Sequence, residues 1–304
     1  MLWVLAFSAI VIGMLAVDLL VVHRKAHEVP IKEALVWTVV WIAVALLFNA
    51  GVFLFKGTQS GLEFFTGYIL EKALSVDNLF VFIVIFEYFA VPSAYQHRVL
   101  FYGVLGAVIT RALFIFIGIE LIKIFHFVIY IFAVFLIFTG IKLLKQKEEK
   151  VDPEKNWALK VFKRFFRVHP RYEGQKFFVR HQGKTLATPL MVVLVVVEGT
   201  DILFAVDSIP AIFAVTLDPF IVFTSNIFAI LGLRALYFVV AGFLKRFRYL
   251  RMGLAFVLAF IGVKMILSDF YPIPIHYSLT IVALTLLVAT VASIVKTKPE
   301  GSKG

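Results

Sequence analysis

The 304-residue sequence predicts an all-α polytopic membrane protein of nine transmembrane helices, N-terminus outside and C-terminus inside, built around a 3+3 inverted-topology repeat. Three observations lead there. Hydrophobic residues make up 62% of the chain and the mean hydropathy is +0.97, whereas a soluble domain is about half apolar. Stretches of the roughly 20 apolar residues that cross a bilayer recur along the whole chain. Lys and Arg, finally, are placed with a strong bias to one side of those stretches.

The expected spans are 2–22, 34–55, 62–88, 98–119, 124–144, 186–215, 219–243, 250–268 and 276–295. The first has no basic n-region and no small-residue cleavage site, so it reads as a retained helix rather than a signal peptide. With the N-terminus outside, the inward loops and tail hold 24 of the 30 Lys and Arg residues, 13 of them between Lys142 and Lys184. Only Lys56 and Lys123 lie on the outward side, a positive-inside bias that sets the orientation. The same bias accounts for the net charge of +11 without a nucleic-acid partner.

The chain divides into a two-helix segment (1–61), a first repeat (62–144), a basic cytoplasmic loop (145–185), a second repeat (186–268), and a last span with a basic tail (269–304). The repeat is visible in three ordered matches: "EKALSVDN" (71–78) with "DILFAVDS" (201–208), "RALFIFIG" (111–118) with "RALYFVVAG" (234–242), and "FTGIKLLK" (138–145) with "FIGVKMIL" (260–267). Each copy holds three spans, an odd number, so the second copy enters the membrane from the opposite face. The second half of the 145–185 loop interleaves Phe with Lys and Arg, the composition of an interfacial segment on anionic lipid.

Five carboxylates fall deep in spans three and six: Glu71, Asp77, Glu198, Asp201 and Asp207. An ionised group at a helix centre costs about 2.5–3.5 kcal/mol on insertion scales, so protonation, ion pairing or a bound cation must offset them. Lys72, Arg111, Arg234 and Lys264 are the intramembrane counter-charges, with Arg111 and Arg234 each placed to hold an acid. Six residues of helix rise ~9 Å and turn about 120° out of register. Glu71 and Asp77 therefore do not share a face, nor do Asp201 and Asp207, unless the helices unwind. Pro210 supplies a candidate helix break, since it cannot donate to the Val206 carbonyl.

Asn78, Ser208, Asn49 and Asn226 add neutral oxygen ligands, while all seven His lie in loops or at span ends and no Cys is present. Hard oxygen donors favour Mg2+, Ca2+ or Mn2+ over Zn2+ or Cu+. Asp18, near the inner end of span one, is placed to snorkel.

The blocks "GYILEKALSVDNLFVF", "ATPLMVVLVVVEGTDILFAVDSIPAIFAVT" and "TSNIFAILGLRALYF" resemble the signature blocks of the TerC family of integral membrane proteins, and the layout is close to its Alx-type members. The resemblance implies a multi-pass protein of the cytoplasmic (inner) membrane, linked to manganese export and tellurium resistance, within a wider group of inverted-repeat cation and amino-acid exporters. It carries the family's acidic positions onto Glu71, Asp77, Asp201 and Asp207. The family's usual "VE(L)SD" stands here as "VEGTD", with Gly199 and Thr200.

The expectation is a secondary transporter exporting Mn2+ through Glu71, Asp77, Asp201 and Asp207, with Asn78 and Ser208 as neutral ligands and no permanently bound cofactor. No nucleotide-binding loop occurs, so the drive is a proton or Na+ gradient. Tellurite is an oxyanion, which a carboxylate-lined site repels, so a tellurium phenotype is expected to be indirect. The alternatives are a membrane-protein assembly or insertion factor and an exporter of another cation or an amino acid. An enzyme or thiol redox protein is the weakest reading of a chain without Cys.

Overall fold

A computed structural model describes residues 13, 29–145, 153–181, 183–242, 248–271 and 273–296. The expected first span, with Asp18, lies outside the described residues. The remaining chain forms helices α1 (Ile31–Lys56), α2 (Thr58–Tyr88), α3 (Ser93–Ile124) and α4 (Val128–Lys145), then a connector. The connector holds a short 3-10 turn, helix α5 (Trp157–Phe165) and a hairpin of β1 (Phe178–His181) and β2 (Lys184–Ala187). After it come α6 (Pro189–Phe213), α7 (Pro219–Leu231), α8 (Leu233–Gly242), α9 (Arg248–Leu267) and α10 (Ile275–Lys296).

Among the described residues, six helices are long and apolar enough to cross a membrane, or seven if the bent pair α7–α8 is one span. The protein is thus an all-α polytopic membrane protein apart from the antiparallel hairpin in the connector. Helix α2 has the length to span but carries Glu63, Glu71, Lys72, Asp77 and Glu87. The expected span over 219–243 is bent, its two helices meeting at 43° around Gly232. Conversely, α6 runs unbroken through Pro210 to Phe213, so the proline does not break the helix. It sits in the last turn, where its missing N–H costs a single intrahelical bond, and its ring is buried.

The helices pack α2 on α7, α3 on α6, and α4 on α9, with α2 also touching α6 and α3 touching α7. The α4–α9 contact depends on two glycines. A Cβ at Gly140 would stand 2.7 Å from the Ala255 carbonyl oxygen and 3.1 Å from Ala259 N, and one at Gly262 2.7 Å from the Ala133 oxygen and from Ile137. These contacts repeat at one offset of 122 positions, 140 to 262, 137 to 259 and 133 to 255. Backbone on the far side cannot give way as a flexible side chain would. Gly140→Ala and Gly262→Ala are each expected to cost about 1–3 kcal/mol through overpacking. Gly51, where a Cβ meets nothing, should accept alanine. Melting of the three detergent-purified variants checks the contrast.

At about 1.5 Å per residue, the 31 residues of α2 and 32 of α3 outrun the ~30 Å hydrocarbon core. The ends that meet at the α2–α3 turn are gripped by the connector. Tyr172 donates to the Phe89 carbonyl (2.8 Å), Arg98 to Gln175 (3.4 Å), and the Arg98 guanidinium lies 5.2 Å from the Phe177 ring. Burial pushes the Tyr172 phenol up to about 12, so it remains a donor at neutral pH. The Tyr172–Phe177 stretch of the 145–185 loop is therefore folded onto the membrane helices.

At the opposite ends of α2 and α3's partners, Lys56 of α1 and Asp218, the N-cap of α7, form a clasp of 2.8 Å. Burial pushes the Asp218 carboxyl up, but the Lys56 ammonium and the N–H groups of Ile221 and Phe220 outweigh it and hold it below the usual carboxylate range. Its stabilisation is therefore complete above the unfolded carboxylate value of about 3.9 and is lost as pH falls through the lower folded value. Melting followed from pH 7 down to about pH 3 should show an acid-side loss that Asp218→Asn removes. Exposure keeps the ion-pair share below about 1 kcal/mol.

Candidate functional site: a buried Glu–Arg–Asp centre

Arg111 of α3 is fully buried at the middle of the bundle. Its Nη1 donates to Glu71 of α2, to Ser208 Oγ of α6 (3.0 Å) and to Asn226 Oδ1 of α7 (3.1 Å). Its Nη2 stands 3.7 Å from Asp201 Oδ1, and Ser75 donates at 3.2 Å to Glu71 Oε1, the same oxygen that Arg111 Nη1 meets. Four helices thus converge on one guanidinium. The spacing explains the supply: Glu71 and Ser75 are four apart, and Asp201 and Ser208 seven apart, so each pair shares a helix face.

At this centre two carboxyl groups, 2% and 3% exposed, face one guanidinium, so the charge balances only when one of them is protonated or a further cation offsets it. Hydrogen bonding is also incomplete: among the described residues, Asp201 Oδ2 and Arg111 Nε and Nη2 are buried without a hydrogen-bond partner. A buried carboxylate oxygen so placed costs free energy unless a cation or proton reaches it.

The remaining acids lie elsewhere. Asp77 meets Arg251 of α9 (Nε–Oδ1 3.4 Å), and this pair is partly exposed, 24% and 37%. Asp207 accepts from Thr139 of α4 at 3.3 Å, and the charges of Lys142 and Asp77 both reach it. The ~120° offset inside each helix is therefore realised: α2 and α6 stay continuous, and each presents one acid to the closed centre and one to the α4–α9 side. Among the described residues, no three His, Asp or Glu side chains are gathered closely enough to hold a metal together.

Of the other candidates, Asn78 is buried on the Glu71 face of α2. Asn49 is buried on α1 with its Oδ1 unpartnered among the described residues, outside the Arg111 contacts. Glu198 lies against α3 so tightly that a side chain at Gly106 would overlap its carboxylate. Lys72 donates to the Ala229 carbonyl (3.1 Å), at the C-terminal end of α7 just before the bend, where a helix dipole favours a cation. Gly232 leaves room for it, since a Cβ there would stand 2.6 Å from Lys72 Nζ. Lys264 donates to the Ala214 carbonyl after α6 (3.2 Å). Arg234 is buried on α8, in a separate cavity beside Trp37 and Trp41, and Asp201 goes to Arg111 instead. Sequence reasoning missed Ser75, Thr139 and Arg251. Arg251 stands at the start of the expected span 250–268, and that position is the one signal the sequence offers for it.

A many-helix bundle, apolar outside and holding ionisable groups at its centre, defines a polytopic membrane protein with a polar intramembrane site. The profile of the integral membrane protein TerC family matches residues 56–300, and the chain belongs to that family. It is 51% identical over 292 residues (96% of this chain, 92% of the relative) to an uncharacterized membrane protein, STKORF319, of Myxococcus xanthus. It is 48% identical over 285 residues (91% and 89%) to the putative membrane-bound redox modulator Alx of Escherichia coli K12, and 46% over 297 residues (93% and 92%) to that of Salmonella typhi. No solved structure matches the chain. It is a multi-pass protein of the inner membrane.

Proposed function

We propose that this protein is a secondary transporter that exports a divalent cation, Mn2+ foremost, across the cytoplasmic membrane through its intramembrane carboxylates. The observation that carries this is the excess acid at the Arg111 centre: two buried carboxylates, one guanidinium, and an Asp201 oxygen with no hydrogen-bond partner among the described residues. The second carboxyl group needs a proton or a cation to offset it, and exchange of one for the other is the step a cation exporter uses. Hard oxygen donors from Glu71, Asp201, Ser208 and Asn226 suit a hard divalent ion. Arg111 is then the resident counter-charge, and an arriving cation must displace part of its contacts. Asp77 and Asp207 provide a second, more accessible pair of carboxylates on the way.

Alternating access needs two halves that rock against each other. The matched packing of α2 on α7 and α3 on α6, and the Gly140 and Gly262 contacts at one offset, support an inverted repeat with its pseudo-two-fold axis between α4 and α9. Nine spans, N-terminus out, is the topology that fits the charge bias. The Alx relatives are described as putative redox modulators. Thiol chemistry is not open to this chain, which has no Cys, so any redox effect would follow from metal content. The test is Mn2+ flux by the purified protein in liposomes. Flux indistinguishable from empty liposomes under proton and Na+ gradients refutes it. Crosslinking to nascent membrane proteins that survives loss of the acids would favour an assembly factor.

A further inference from the structure

The connector helix α5 has more apolar surface than the protein covers. Its Leu159 is fully buried and Ala158 and Phe162 are half-buried, all on one side. That side docks on α6: Asn156, the N-cap of α5, donates to the Val196 carbonyl and to Thr200 Oγ1, both at 3.2 Å. Gly199 permits the approach, since a Cβ there would stand 2.5 Å from the Ala158 Cβ. Next to this side, Trp157, Val161 and Phe165 form a second apolar stripe at the i, i+4, i+8 spacing, and they are 47%, 50% and 74% exposed. Lys160, Lys163 and Arg164 occupy the remaining arc, and Lys163 pairs with Glu154 at 2.8 Å. Just beyond lie exposed Phe166 and Arg167.

We infer that this stripe and its flanking cations form an interfacial anchor for anionic phospholipid. Three features identify the occupant. The order around the helix is protein-facing apolar, exposed apolar, then basic, the arrangement of an amphipathic helix that meets lipid on one side and reaches headgroups with its cations. Residues 153–188 carry nine Lys and Arg against two acids, a charge that anionic headgroups complement. The helix also docks beside an exposed apolar side chain of a membrane span. Leu203 of α6, 53% exposed, follows Thr200 by one turn on the face where α5 docks. The anchor would hold the connector against the turn of α6 that carries Glu198 and Asp201, on lipid of the right charge.

The chain has no Cys, so a single introduced thiol reports cleanly. The full-length protein carrying Val161→Cys, labelled with an environment-sensitive fluorophore, is placed in phosphatidylcholine liposomes with or without phosphatidylglycerol. Brominated lipid should quench the label, more strongly with the anionic lipid, and a Lys184→Cys label on the hairpin should not respond. Adding Lys160→Gln, Arg164→Gln and Arg167→Gln should remove most of that quenching. All four positions are exposed, so the fold should tolerate these changes. Equal quenching in neutral and anionic lipid overturns the charge assignment. A label open to aqueous iodide in both mixtures overturns the anchor. A label shielded from both quenchers means that protein covers the stripe, which also overturns it. None of these outcomes depends on transport, so the anchor and the transporter stand or fall separately.

Discussion

Arg111→Leu is expected to destabilise the protein by about 3–5 kcal/mol, because it strands Glu71 and Asp201 as buried, unpaired carboxylates. The side chain touches α2, α6 and α7 from α3, so the loss acts on the whole centre. The triple variant Arg111→Leu, Glu71→Gln, Asp201→Asn should recover much of the deficit, since neutral groups carry a far smaller desolvation cost. Arg111→Lys should fall between: it keeps the charge but cannot reach three helices with one planar fork. Melting and monodispersity of the detergent-purified variants decide this. If the leucine variant melts like the parent, the centre is not the strongly coupled cluster its geometry describes.

Asp201→Asn is expected to abolish Mn2+ binding while leaving the fold intact. It removes the excess carboxylate, and Glu71 remains to neutralise Arg111. Even supporting groups around a metal change affinity by about 10–100-fold, so loss of a charged ligand should exceed that. The measurement is Mn2+-dependent thermal stabilisation of purified protein, with lysine as the control ligand to separate a cation site from an amino-acid site. Asp77→Ala and Asp207→Ala, if expressed normally, should stop the protein from lowering cellular manganese in a host without its own exporters. They should affect stability less than Arg111→Leu, because the Asp77–Arg251 pair is partly exposed. Variants that still lower manganese as the parent does would remove these two acids from the path.

The identity of the acids, and the split between Glu71 and Asp77, could be read directly from the chain. Membrane helices keep a fixed period because every backbone group must be bonded within the segment. A spacing of six residues therefore separates two faces whatever the helix packs against. The same regularity made the spans and their matched blocks legible in hydropathy and charge.

The partners were not legible. Period alone does not say which helix stands opposite a given face, so Arg111 and Arg234 looked equivalent. Only packing sends both Glu71 and Asp201 to Arg111, and Asp77 to Arg251. Breaks misled for a related reason. Pro210 removes one donor in a terminal turn, which the helix survives, whereas the bend comes at Gly232, one of several glycines within the spans, beside the Lys72 ammonium. By itself, then, the sequence determined a helical membrane protein with buried acids on defined faces, because burial and backbone bonding are local demands. The tertiary structure alone decided which charges meet and where a helix bends, because a counter-charge acts through space over a few ångströms and takes no account of distance along the chain.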